Sequence, residues 1–325
     1  MAHLIDLRLK KIAVVLAAAI FFQVDLLAEP LAFITNQLDN NVSVINTSTR
    51  KVLKNIPVEG KPVGVAVNNL KHQVYISTPD GAGFAVLDSK KLVPLTTVKT
   101  SNGALGIAVD RTGERVFVAD WYENQIAIFG TENLQLIKTI VVGKSPSGMV
   151  VSHDNQWLYV ANRVSDSVSL INLDNLKVRR TIDVGTHPFG ITVNSAGTKL
   201  YTANVESDDV SVVDISDLRQ PQTVSIPVKS RPYAVSLAQN DTRLFVTNQD
   251  DGTVSVIDTL SLKEIAVIEV GEKPEGISTH PDDRQIYVAN WFDGTVSVID
   301  GKELKVIATI PVADGSRGFG EFFTH

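Results

Sequence analysis

One fourteen-residue phrase dominates this chain. "YVANWFDGTVSVID" (residues 287–300) restates "FVTNQDDGTVSVID" (residues 245–258), and looser copies, "YTANVESDDVSVVD" and "YVANRVSDSVSLIN", come before them. The aromatic that opens each copy falls at Phe33, Tyr75, Phe117, Tyr159, Tyr201, Phe245 and Tyr287. A glycine ladder keeps the same period of 42, stretched to 44 between Tyr201 and Phe245: Gly64, Gly106, Gly148, Gly190, Gly276 and Gly318, with Ala234 in the gap. A proline stands two residues before it at Pro62, Pro146, Pro188, Pro232 and Pro274. Three ladders in one period define seven repeats.

Each repeat holds four short runs rich in Val, Ile, Thr and Tyr, separated by Asn, Asp, Gly, Ser and Pro. Such runs read as strands, and no stretch carries helical periodicity. Four strands in about 40 residues make one propeller blade. The expected fold is therefore all-β, a seven-bladed β-propeller of four-stranded antiparallel blades. The glycine-bearing run can lie nearest the crowded axis. The chain enters on a "YVAN"-type strand and leaves on a glycine-type strand, Gly318 to Phe323. One blade should then take its inner strand from the C-terminus and its other three from residues 32 to 58. That closes the ring and removes a free edge.

Residues 1–28 are different. Arg8, Lys10 and Lys11 precede an apolar run from Ile12 to Phe22, then a polar stretch ending at Ala28. This is the layout of a secretory signal peptide, with cleavage expected after Ala28 and a propeller domain over residues 29–325. Leu26, large for its place before the cut, keeps an uncleaved anchor as the alternative. A periplasmic or secreted location follows, with no membrane span after cleavage. The chain has no cysteine, which removes disulfides, lipidation at the cut, thiolate metal sites and cysteine nucleophiles. A net charge of −6 argues against coating duplex DNA by bulk charge.

The motifs "YVAN", "VSVID", "TIPV" and "VGTHPFGI" resemble the YVTN-type β-propeller repeat family over about nine-tenths of the chain. The resemblance implies the propeller fold and leaves function broad: surface-layer proteins, periplasmic binding proteins, and relatives of lactonases and dehydrogenase subunits. Two repeats depart from the pattern, with "STPDGAGFAVLD" in the second and "VADGSRGFGEFF" in the last.

No catalytic motif stands out, so no catalytic residue, metal or cofactor is expected. His72, His153 and His280 fall on turns in separate blades and read as satisfied surface histidines. "DDGT" and "FDGT" are hairpin chemistry, without the glutamate of a calcium loop. The recurrent Asn36, Asn162, Asn204, Asn248 and Asn290 should bond backbone groups of the hairpins.

What breaks the seven-fold pattern is more informative. The loops entering the inner strands carry Lys61, His187, Arg231, Lys273 and Arg317. Counting strand directions puts the hairpin after "YVAN" on the same face, and that hairpin carries Trp121, Arg163 and Trp291. Exposed aromatics beside cations suit an anionic, planar or polymeric ligand. Nearby acids (Glu123, Asp166, Glu206, Asp208, Asp250, Asp251, Asp293) weaken any general attraction for polyanions. The expected function is an exported, non-catalytic, monomeric propeller that binds a ligand or partner through this face. Single-stranded nucleic acid, an envelope component and a protein partner all remain open. The alternatives are an accessory or subunit of a periplasmic quinoprotein oxidation system and a lactonase-like hydrolase.

Overall fold

The computed structural model describes residues 29–325, so the signal-peptide reading of residues 1–28 lies outside the described residues. The chain forms seven radial sheets, each running from an inner strand at the axis to an exposed outer strand. In the fourth blade these are Pro146–Val151, Trp157–Asn162, Ser167–Asn172 and Lys177–Asp183, all antiparallel. The two extra residues of the fifth blade lengthen the turn between Asp209–Asp214 and Gln222–Pro227.

A single four-stranded sheet cannot bury both its faces, and the neighbouring blade supplies the missing cover. The opening aromatics are at most 2% exposed in every blade. Each hydrophobic cluster straddles blades; Tyr75 and Phe84 of the second pack with Val116, Val118 and Phe129 of the third. Burial pushes the Tyr75, Tyr201 and Tyr287 hydroxyls up to about 12, so they stay neutral and act as packing groups.

The glycine ladder has a steric cause. A Cβ on Gly106 would lie 1.8 Å from the Ser147 carbonyl oxygen, and one on Gly148 would lie 2.3 Å from that of Phe189, each in the next blade. Inner strands approach backbone to backbone, and only glycine leaves room. A bulge between the proline and the residues after the glycine brings each strand to the axis, as between Pro188 and Ile191.

The ring closes through the C-terminus. Strand Phe319–Glu321 lies beside Leu31–Asn36, with Arg317 N–H donating to Thr35 O (2.8 Å) and Phe33 N–H to Phe322 O (2.9 Å). Isolated antiparallel bridges join Ala32 to Phe323 and Asn36 to Ser316. The strand also pairs in parallel with Gly64–Asn68 of the second blade, so this junction is tighter than the pattern implied. The register differs too. Gly318 turns left-handed (φ 55°), and it is Gly320 whose Cβ would meet the Val65 carbonyl at 2.3 Å.

The asparagine ladder works through side chains more than through backbone. Asn162 Nδ2 donates to Ser167 Oγ and Ser169 Oγ, and Asn248 and Asn290 repeat this with Thr253 and Ser255, and with Thr295 and Ser297. The serine of "VSV" is therefore a buried acceptor, which explains its recurrence.

Candidate functional site

The loops before the inner strands and the hairpins after the second strands are bonded to each other. Trp121 N–H donates to Gly103 O (2.9 Å), Arg163 N–H to Ser145 O (3.0 Å) and Trp291 N–H to Lys273 O (2.9 Å). One face thus carries both sets. Lys61, Ser145, His187, Arg231 and Lys273 all adopt left-handed backbone, with φ between 52° and 58°. That conformation costs a non-glycine residue roughly 1–2 kcal/mol. Hairpin side chains offset it by taking the backbone N–H: Asn40 from Lys61, Asn124 from Ser145, Asp166 from His187 and Asp208 from Arg231. Asp251 and Asp293 accept Ser230 and Glu272 N–H in the same way. Four of the seven acids expected beside the site therefore hold loops in place.

The top of the channel is plugged. The residue after each proline position is Val63, Leu105, Ser147, Phe189, Tyr233, Glu275 or Arg317; Val63, Leu105, Phe189 and Tyr233 pack in one cluster with Phe319, while the Ser147 hydroxyl bonds backbone carbonyls. Phe189 packs on Tyr233 with ring centroids 4.1 Å apart and on Phe319 at 4.8 Å. Arg317 Nε lies 2.5 Å from Glu275, its Nη2 donates to the Tyr233 hydroxyl (2.7 Å), and its Nη1 to Gln37 Oε1 (3.2 Å). Arg317 is 15% exposed, so its guanidinium is committed to the plug and is not presented at the mouth. Burial pushes the Tyr233 hydroxyl up to about 12.

The other seven predicted residues surround this plug. Trp121 is half-buried against Phe189, and the Arg163 guanidinium stands 5.8 Å over its ring. Trp291 donates from Nε1 to Gln37 Oε1 at 3.4 Å. The tryptophans are thus the two ends of one contact chain across the mouth, running through Gln37, Arg317, Tyr233 and Phe189. Glu206 draws in Arg163 (3.9 Å), His187 (3.9 Å) and Arg231 (3.2 Å), while Asp250 takes Arg231 (3.7 Å) and Lys273 (2.6 Å). Lys61 reaches the Leu38 carbonyl at 3.3 Å. The sequence singled out these bases without their partners. Beside Trp121 opens a cavity of about 200 Å³, lined by Leu105, Trp121, Tyr122, Arg163, Phe189 and Tyr233 among others.

The opposite mouth holds a larger chamber of about 380 Å³, which the sequence reading missed. His153 and His325 line it. His280, expected at the surface, is instead mostly buried, with Nε2 3.2 Å from Thr47 Oγ1 and its ring against Tyr287 and Phe323. Among the described residues, no three His, Asp or Glu side chains gather as a metal site. No helix there is long and apolar enough to cross a membrane.

Comparison with known proteins gives a consistent fold. The family model "Lactonase, 7-bladed beta-propeller" matches residues 65–181 and 132–226, and the model "Cytochrome D1 heme domain" matches residues 230–318. No curated protein matches in sequence. Among solved structures, hydrazine synthase of Kuenenia stuttgartiensis aligns at 17% identity over 82% of this chain and 91% of its own, with a TM-score of 0.76. A protein of unknown function from Desulfotomaculum acetoxidans aligns at 12% over 91% and 99%, TM-score 0.79. The periplasmic gluconolactonase of Pseudomonas aeruginosa aligns at 15% over 91% and 99%, TM-score 0.75. The shared feature is the seven-bladed propeller. Phe189, Tyr233 and Phe319 fill the axis at the decorated mouth.

Proposed function

We propose that this chain is an exported, periplasmic, YVTN-type propeller that binds a small anionic ligand with a planar body on the face carrying Trp121 and Arg163. The reading rests on one observation: Trp121, Tyr122, Phe189, Tyr233 and Arg163 converge on a single cavity of about 200 Å³. Aromatic walls with one guanidinium suit an aromatic acid. Among the described residues, Arg163 has one ion pair, a long one to Glu206, besides its stacking over Trp121, so its donors are available to a carboxylate. The surrounding acids disfavour a long polyanion, and single-stranded nucleic acid becomes the lesser candidate.

Titration of the mature protein with benzoate, with a short oligothymidylate as comparison, tests this. Benzoate binding should fall about 2- to 13-fold in Trp121→Ala, in line with about 0.5–1.5 kcal/mol for an aromatic pair. Arg163→Gln should weaken it and remove most of its salt dependence. Unchanged binding in both variants refutes the site. Export is tested by intact mass: the exported protein should begin at Glu29, and a soluble full-length chain would contradict it.

A second reading is favoured by the lactonase family match over residues 65–226. It makes the chain a lactone hydrolase, and turnover of glucono-δ-lactone by the purified protein would support it over the binding role.

A further inference from the structure

The chamber below the plug has walls of a different chemistry. Its ceiling is Phe319, whose ring lies across the axis against Gly148 and Phe189. Its sides are the inner strands of the third to seventh blades and the C-terminal strand. The third to seventh blades pair their inner strands on one side only, so N–H and C=O groups border the channel. Three consecutive blades add hydroxyls, at Thr192, Ser236 and Ser278. The equivalent positions in the second, third and fourth blades are Ala66, Ala108 and Val150. The inner-wall hydroxyls at this position are therefore confined to one side of the ring.

The hydroxyl bonding has a direction. Thr279 Oγ1 donates to the Leu237 carbonyl at 2.8 Å, which uses its only proton. Ser236 Oγ lies 2.7 Å from Thr279 Oγ1, so Ser236 is the donor of that pair. The lone pairs of Ser236 are left to accept from whatever enters. At the mouth Arg111 is committed, with Nη2 donating to Val151 O (3.0 Å) and both Nη atoms 3.3 Å from Glu321. Asp241 at the rim is an acceptor, already taking Ser195 N–H. Apart from the imidazoles of His153 and His325 at the rim, the described side chains thus offer acceptors and no unpaired guanidinium or ammonium group, and the inner wall is uncharged.

We infer that this chamber is a second binding site, for a neutral polyhydroxylated ligand of monosaccharide size. Such a ligand donates O–H groups to Ser236 and to strand carbonyls and accepts from strand N–H groups. It lays an apolar C–H face against Phe319, as ring faces favour. The volume of about 380 Å³ is within the range of small-molecule sites, roughly 300–1,000 Å³. An anion would find only the rim imidazoles of His153 and His325 there, and a diamine only the rim carboxylates.

The test is calorimetric titration with D-glucose, and with putrescine as the cationic comparison, on the full mature protein. Glucose should bind, and putrescine should not. Ser236→Ala should weaken glucose about 3- to 10-fold, the loss of one hydrogen bond. Ser236→Leu, which fills the chamber, should abolish binding while Trp121→Ala leaves it unchanged. Thermal melting checks that each variant is folded; if Ser236→Leu is not, Ser236→Ala and Thr279→Val decide. Absence of glucose binding at millimolar concentration overturns the inference. So does binding indifferent to folded Ser236 and Thr279 variants, or binding of putrescine in preference to glucose.

Discussion

A chain cut after Arg317 is expected to lose its fold. The last eight residues carry Phe319, Phe322 and Phe323, which are 7%, 0% and 4% exposed. Removing one buried phenylalanine side chain typically costs about 3–5 kcal/mol. The cut also strips bonds from Phe33 N–H and Leu31 O and leaves the Leu31–Phe33 part of that strand's inner edge without a partner. Total stabilities of single domains run about 5–15 kcal/mol, so losses of this size consume most of it. Tryptophan fluorescence in urea should show no native baseline for the truncated chain. A transition with the midpoint and slope of the intact protein would mean that the ring does not depend on this strand.

Substituting Gly276 by alanine should be the most damaging methyl group that can be added to the molecule's axis. Its Cβ would stand 1.6 Å from the Arg317 carbonyl oxygen and 2.5 Å from that of Gly318. Both atoms are backbone of the closing strand, so relief requires moving that strand. The expected loss is at the top of the overpacking range, about 3 kcal/mol or more. Gly197 is the control. It sits in a turn at φ 67° with nothing within 4 Å of where a methyl group would stand, so alanine there costs only the left-handed backbone, about 1–2 kcal/mol. Ala234 shows that one junction of the ring does admit a methyl group, which makes the comparison informative. Equal midpoints for Gly276→Ala and Gly197→Ala would contradict the close approach of inner strands.

The fold was legible because its constraints recur. The buried aromatic leaves its letter in all seven repeats, the ladder glycine in six and the hairpin asparagine in five. The common face was legible for the same reason, since strand direction fixes which loops share an end. The pairing of side chains on that face was not. Glu206 gathers Arg163, His187 and Arg231 from different repeats, and no spacing rule predicts which acid meets which base. Arg317 illustrates the difficulty: its position is that of Phe189 and Tyr233, so it belongs to the plug, but its charge suggested the surface. The second chamber did leave a signal. Thr192, Ser236 and Ser278 are a polar run in a column otherwise held by Ala, Val and Gly. Reading the repeats column by column, rather than only at their loops, exposes it.

The proposed function puts the anionic ligand at the decorated mouth around Trp121. Amide hydrogen exchange of the mature protein with and without saturating benzoate tests this most directly. Added protection is expected in the hairpin and loop segments at residues 102–105, 121–124 and 163–165. None is expected at the opposite mouth, around residues 239–242 and 280–284. Protection confined to the opposite mouth, or spread evenly over all seven blades, would contradict the proposed function.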